Sequence, residues 1–121
     1  MMDYFEVLRA LVEYIDEPGV FKNRPVLRIN ETPFSKVELD SKITTIKITS
    51  KPKRAGKYVE YELHDWREAG LSRPSTVRLS TLFSNIVKKD IYSKLGDLSR
   101  ADALNISVIM KEKAHKMGIY P

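Results

Sequence analysis

The residue types that could support chemistry are concentrated in one stretch, residues 43–63. Thr49 ends a predicted strand there, and Ser50 follows it. Four cations come next with no carboxylate among them: Lys51, Lys53, Arg54 and Lys57. Such a loop can bind phosphate groups through its positive field, although lysines also suit a solvated loop that protects a strand edge from aggregation. We expect any chemistry at the mouth of this strand–loop–strand hairpin, with the segment 24–27 folded back beside it.

Two further side chains are weaker candidates as auxiliary groups. His64 precedes Asp65, and the two could form a proton-transfer pair, although a single histidine at a strand end also suits a turn or a surface position. Trp66 could stack on a nucleobase or belong to the core or an interface. With two histidines, no cysteine and no clustered carboxylates, a zinc site is not expected. We therefore expect no metal and no cofactor.

Length and charge limit the class of protein. A chain of 121 residues favours a single domain, residues 1–121. The formal net charge of +5 and the pI of about 9.4 are compatible with nucleic acid or with an acidic protein partner. The absence of cysteine fits a reducing cytoplasm. No apolar run approaches the roughly 20 residues of a membrane helix, and the N-terminus does not resemble a signal peptide. We expect a cytoplasmic protein that does not enter a membrane.

Hydrophobic periodicity predicts a mainly β, α+β fold. Alternating apolar residues indicate short strands over about 24–29, 42–49, 57–64, 74–79 and 91–95, whereas 80–87 suits a short helix or bend. In the strand 57–64, Glu60 and Glu62 should face outward. Segment 6–15 fits either a strand or a helix. Ser99, three residues before Asp102, predicts the start of a C-terminal helix. The expected architecture is a small, mainly antiparallel sheet or barrel with that helix.

Four segments in order carry a family resemblance: 24–29 (RPVLRI), 46–50 (IKITS), 64–82 (HDWREAGLSRPSTVRLSTL) and 94–102 (KLGDLSRAD). The chain resembles, over nearly its whole length, the MazF/PemK-like toxins of type II toxin–antitoxin systems. The resemblance implies an SH3-like small barrel and a strand over 7–14. It also implies a homodimeric, metal-independent endoribonuclease that cleaves single-stranded RNA and is neutralised by a cognate antitoxin protein.

The resemblance also assigns residues. The family's catalytic arginine stands in its Arg-Pro motif, which is Arg24 here, and its catalytic threonine or serine ends the following strand, which is Thr49. Ser50 and the cationic loop would lie beside the RNA groove. Ser75 and Arg78 would contribute further RNA or dimer contacts. RNA can cleave itself when a 2′-OH attacks the adjacent phosphorus. Such an enzyme therefore has to stabilise charge on the phosphoryl oxygens, for which a guanidinium is suited.

Two other functions remain open at the level of sequence. The usual Gly-Asp-Ile/Val opening and the Glu-Gln-Gly run of many family members are absent. This absence motivates a non-catalytic SH3-like module that binds RNA or an antitoxin-like protein. The third hypothesis is a DNA-regulatory interaction protein that uses the cationic loop.

Overall fold

The computed structural model describes residues 4–13, 18–30, 34–50 and 59–116, and within them a six-stranded sheet and one α-helix form. The elements in chain order are β1 (Tyr4–Glu13), β2 (Phe21–Asn30), β3 (Lys42–Thr49), β4 (Glu60–Glu62), β5 (Thr76–Val87), β6 (Ile91–Asp97) and α1 (Arg100–Lys116). Short 3-10 turns occupy Phe34–Lys36 and Lys88–Asp90. The predicted mainly β, α+β class with a C-terminal helix is confirmed.

The strand order is β4-β5-β3-β2-β1-β6, and each of these neighbouring pairs is antiparallel. β3 and β4 both pair with β5, from opposite sides, so they run parallel to each other. The interpretation of residues 43–63 as a hairpin is therefore wrong. Alternation within a segment shows that it can form a strand, but it does not show which strand is its neighbour.

β5 is one continuous strand of 12 residues, so the short helix considered for 80–87 is wrong. Its pairing with β3 shifts register twice, between Ile43 and Thr45 and between Ile46 and Lys47. Extra residues of this kind interrupt the alternation and bend a strand. The bulged part consequently lacks the simple two-residue period by which the other strands were found.

The sheet packs an apolar cluster on each face. On one, here called the helix face, Leu27, Ile46 and Val77 pack with Ile106 of α1. On the other, the outer face, Leu8, Val26 and Ile43 belong to a second buried cluster, against which Phe34 and Val37 pack. Adjacent residues such as Val26 and Leu27 serve different clusters because successive side chains of a strand point to opposite faces.

The sheet curves until its two edges meet a common segment. β4 and β6 are the edge strands, and the turn after β4 lies against β6. A Cβ added to Gly70 would lie 2.2 Å from the backbone oxygen of Leu95, and one added to Gly96 would lie 2.6 Å from that of Ala69. Backbone packing between the turn and β6 thus brings the segment after β4 against the opposite edge of this open sheet.

The predicted start of the C-terminal helix is confirmed. The backbone N–H of Asp102 donates to the hydroxyl of Ser99 at 3.2 Å, and the helix begins at Arg100. One side of α1 rests on the helix-face cluster through Ala103, Ile106 and Met110. No helix in the described ranges is long and apolar enough to span a bilayer.

Candidate functional site

The register of β2 and β3 sets Arg24 and Thr49 on the same face of the sheet. Arg28 pairs with Thr45 and Val26 with Lys47. Two residues farther along each strand, Arg24 has the parity of Val26 and Thr49 has the parity of Lys47. Directly opposed residues of an antiparallel pair point to the same face. Arg24 and Thr49, from separate segments of the chain, therefore share the outer face, beyond the last paired residues of β2 and β3.

The same face continues as two polar rows across β5 and β4. Thr49 pairs with Thr76, and Thr76 pairs with Glu62. Lys47 pairs with Arg78, and Arg78 pairs with Glu60. We call the first row, nearest the strand end, the rim row: Arg24, Thr49, Thr76 and Glu62. The second row comprises Lys47, Arg78 and Glu60.

Exposure distinguishes the ends of the rim row from its middle. Arg24 and Glu62 are exposed, whereas Thr49 and Thr76 retain only 9% and 6% of their accessible surface. The Arg24 guanidinium donates from Nη1 to the neighbouring carbonyl of Asn23 at 3.5 Å, the long limit of a hydrogen bond. A solvent-facing cation and a largely buried hydroxyl thus share this face of the sheet. Both are of a type that can donate to a phosphate group.

Arg24 differs from Arg28, the other arginine of the 24–29 motif, although both point to the outer face. The Arg28 side chain is fully buried, and its Nη1 donates to Glu6 Oε1 at 2.5 Å. The backbone N–H of Phe34 also donates to that oxygen, at 3.0 Å. Arg28 therefore stabilises the junction of β1, β2 and the 3-10 turn, and Arg24 is the arginine of this motif that a ligand can reach.

Arg78, predicted as an RNA contact, lies in the second row and is largely buried. Its Nε lies 4.0 Å from Glu60 Oε2, with side-chain exposures of 10% and 0%. Glu60 does point to the outer face, as the alternation predicted, but it is buried there rather than solvated. The opposite charge of Glu60 reduces the positive field that Arg78 can offer to a phosphate.

The two serines of the predicted site have different surroundings. Ser50 is exposed and directly follows Thr49. Ser75 is buried just before β5, and its hydroxyl donates to the backbone oxygen of Arg73 at 2.9 Å. The Ser75 hydroxyl therefore stabilises the backbone that leads into β5, whereas the exposed Ser50, after the end of β3, is accessible to a ligand.

The two auxiliary candidates, His64 and Trp66, are on the side of the molecule away from Arg24 and Thr49. The His64 ring centroid lies 6.1 Å from that of Tyr61, whose side chain packs on the helix-face cluster. Trp66 packs on the same cluster, and the Arg67 guanidinium lies 4.8 Å from its ring centroid. The structure does not bring either side chain to the rim row.

The cationic loop residues Lys51, Lys53, Arg54 and Lys57 lie outside the described residues. The structure shows two cations on the outer face that the sequence did not lead us to assign to the site. Lys47 is in the second row, and the exposed Lys22 shares the parity of Arg24 in β2. The alternation around Arg24 would have indicated Lys22 if β2 had been extended to its observed start at Phe21.

In the ranges that the structure describes, no group of three or more histidine, aspartate or glutamate residues is arranged as metal ligands would be. Comparison of the chain with protein-family models and with curated proteins finds no match. The resemblance to the MazF/PemK-like toxins therefore depends on the sequence motifs alone.

Proposed function

We propose that this chain is a metal-independent endoribonuclease that cleaves single-stranded RNA, mRNA in particular, with sequence selectivity. The observation that supports the proposal is the shared parity that gives Arg24 on β2 and Thr49 on β3 the same, outer face. The motif resemblance singles out these two residues, which belong to different strands. If either residue were shifted by one position along its strand, the two side chains would point to different faces. A phosphate site that uses both residues requires them on the same face.

The proposed reaction is attack by the RNA's own 2′-OH. The 2′-oxygen forms a bond to phosphorus, the bond from phosphorus to the 5′-oxygen breaks, and a 2′,3′-cyclic phosphate and a 5′-OH result. Negative charge accumulates on the non-bridging oxygens in the transition state. The guanidinium of Arg24 is exposed, permanently charged and able to donate to two of these oxygens at once.

Thr49 supplies a second donor at the same phosphate. Its side chain is largely buried at the end of β3, and β-branching limits its rotamers. The hydroxyl is therefore held in place before RNA binds, and it would donate to a phosphoryl oxygen or orient the 2′-OH. Loss of one such preorganised donor lowers the rate by about 10²–10³.

RNA binding is assigned to the cations around this site. Lys22 and Lys47 lie on the outer face, and Ser50 leads into the loop that carries Lys51, Lys53, Arg54 and Lys57. The resemblance adds a homodimer and a cognate antitoxin that competes for the same surface. The absence of cysteine supports a cytoplasmic location. Because phosphate contacts release counterions, binding should weaken steeply as salt rises.

The test is cleavage of mixed-sequence single-stranded RNA in excess EDTA, with the chemistry of the new ends identified. Arg24→Ala and Thr49→Val should each lower the cleavage rate by about 10²–10³. Arg100→Ala and Thr44→Val are matched controls, because Arg100 is an exposed helix residue and Thr44 is exposed on β3 with the opposite parity to Thr49. A DNA strand of the same sequence should bind without being cut, since it lacks the 2′-OH.

Other outcomes would assign one of the other functions. Intact RNA at high protein concentration, together with salt-sensitive RNA binding, would indicate a non-catalytic binding module. A DNA complex that excess RNA does not displace would indicate a DNA-regulatory protein. Cleavage that EDTA abolishes, or that survives both Arg24→Ala and Thr49→Val, would overturn the proposed mechanism.

A further inference from the structure

The rim row ends in a carboxylate that phosphate binding does not require. Glu62 is exposed on β4, and its pairing with Thr76 gives it the same face as Thr49. A carboxylate beside the RNA backbone repels the phosphates, so its presence opposes simple charge attraction. If RNA binds along this face, Glu62 is positioned to contact a base rather than a phosphate.

Glu62 also differs from the neighbouring Glu60. The Glu60 side chain is fully buried and faces Arg78. Glu62 lies at the end of the edge strand, and none of the ion pairs among the described residues includes it. Its two carboxylate oxygens can therefore accept hydrogen bonds from a ligand on the outer face.

The distance along the row matches the size of one nucleotide. Thr49 and Glu62 are separated by β5, which makes two strand spacings, or about 10 Å. This is comparable with the span of a nucleotide from its phosphorus to the far edge of its base. A phosphate bound by Arg24 and Thr49 would bring the edge of one flanking base within reach of the exposed Glu62.

A carboxylate selects among bases because it only accepts hydrogen bonds. Guanine presents two adjacent donors, N1–H and the 2-amino group, which match the two oxygens. Adenine and cytosine each present one amino group beside a ring acceptor. Uracil presents N3–H between two carbonyl oxygens, which a carboxylate repels. Single-stranded RNA exposes these edges to direct contact.

We propose that Glu62 is a specificity-determining residue that selects guanine at a nucleotide flanking the cleaved bond. This inference rests on the proposed function, because it places the scissile phosphate at Arg24 and Thr49. It adds to that function the identity of the base and the side chain that recognises it.

The first experiment maps cleavage sites on RNA with randomised flanking positions. The unmodified protein should favour guanine over uracil at one flanking position by about 10-fold or more, as expected of a bidentate contact. Glu62→Gln keeps the size of the side chain and removes its charge, so this preference should disappear while cleavage continues. Glu68→Gln, at an exposed carboxylate of the turn after β4, should retain it.

The second experiment measures binding and does not depend on cleavage. Short RNAs that differ only by guanine or inosine at the flanking position are titrated against Thr49→Val. Inosine lacks the 2-amino group, so it should bind about 10-fold more weakly, and Glu62→Gln added to Thr49→Val should abolish the difference.

The two experiments separate the inference from the proposed function. Cleavage whose base preference Glu62→Gln leaves unchanged, or a preference for uracil, would overturn the inference alone. Equal binding of guanine and inosine would also overturn it. Discrimination of guanine without any cleavage would support the role of Glu62 and overturn the proposed nuclease.

Discussion

At the scale of single residues, Asp102 shows a charged side chain used for structure. It is fully buried in the first turn of α1, and its carboxylate accepts hydrogen bonds from the Tyr61 hydroxyl at 2.6 Å and from the backbone N–H of Asp65 at 2.9 Å and of His64 at 3.2 Å. Asn105 in turn donates to the Tyr61 hydroxyl at 3.0 Å. These contacts join α1 to β4 and to the segment after it.

The same contacts determine the ionisation of Asp102. Burial acts to raise the pKa of its carboxyl group, but the hydrogen bonds from Tyr61 and from the backbone N–H groups of Asp65 and His64 outweigh it and hold the pKa below its ordinary value. A lowered pKa in the folded state stabilises the fold above the unfolded pKa of about 3.9. This stabilisation is lost as the pH falls through the folded pKa.

We predict that Asp102→Asn lowers the free energy of unfolding at pH 7 by about 1.5–3 kcal/mol, the contribution of hydrogen bonds to a charged group. Urea unfolding at pH 7 and at pH 3 measures this change in the free energy of unfolding. The difference between Asp102→Asn and the unmodified protein should shrink at pH 3, because below the unfolded pKa of about 3.9 the unfolded chain takes up a proton at this carboxyl group and the folded state, with its lowered pKa, does not do so equally.

Asp90→Asn, at an exposed position of the second 3-10 turn, is the control for the loss of one carboxylate. An Asp102→Asn variant as stable as Asp90→Asn at pH 7 would contradict the structural role given to Asp102.

At the scale of elements, the turn between β4 and β5 packs its backbone against β6 and covers an edge with which no strand in the described ranges pairs. Gly70 has a φ of +84°, and its Cα faces the backbone of β6 closely enough that a Cβ would overlap the Leu95 carbonyl. Two requirements therefore act on one residue: a left-handed backbone conformation and the absence of a side chain. The close approach lets the turn cover the edge of β6.

We predict that Gly70→Ala lowers the free energy of unfolding by more than Gly19→Ala. Gly19 has nearly the same φ, +86°, but nothing lies within 4 Å of the position its Cβ would take. Gly19→Ala therefore measures the backbone cost alone, about 1 kcal/mol. Gly70→Ala adds displacement of β6 or of the turn, for which we expect a further 1–3 kcal/mol, roughly the cost of overpacking.

Urea unfolding of both glycine variants gives the comparison. Equal losses of stability would show that the turn moves away from β6 at little cost. The turn would then not be fixed against β6.

At the scale of the whole molecule, both apolar clusters are built on the same strands. β1, β2 and β3 each contribute alternate residues to the helix-face cluster and to the outer-face cluster. On β3, Ile46 belongs to the first and Ile43 to the second, and each is 2% exposed. Because a strand cannot leave one cluster and remain in the other, the two clusters should unfold together.

We predict that Ile46→Ala and Ile43→Ala each lower the free energy of unfolding by about 2–5 kcal/mol and preserve a single transition. Thr44→Ala, at the exposed position between them, should change it by about 0.5 kcal/mol or less. Trp66 fluorescence reports on the helix-face side and far-UV circular dichroism on the whole sheet. Separate unfolding midpoints from these two signals for Ile43→Ala would contradict the expectation that the two clusters unfold together.

Local physics explains what the sequence determined. Two-residue alternation located β3 at its observed bounds and correctly divided the side chains of β2 and β4 between two faces. The Ser99 and Asp102 spacing located the start of α1. These features depend on neighbours within a few residues of each other along the chain, which a pattern of residue types records. The face on which Arg24 stands relative to its own strand was predictable for this reason, as was that of Thr49.

Only the tertiary structure decided how the strands combine. The insertion of β5 between β3 and β4, its bulges, and the pairing of β2 with β3 that gives Arg24 and Thr49 a common face come from packing between distant segments. Identical residue types consequently received different tasks: Arg28 is buried on Glu6 while Arg24 is exposed, and Glu60 faces Arg78 while Glu62 is accessible. Burial and long-range pairing are properties of the assembled sheet, so residue type and spacing alone could not assign these tasks.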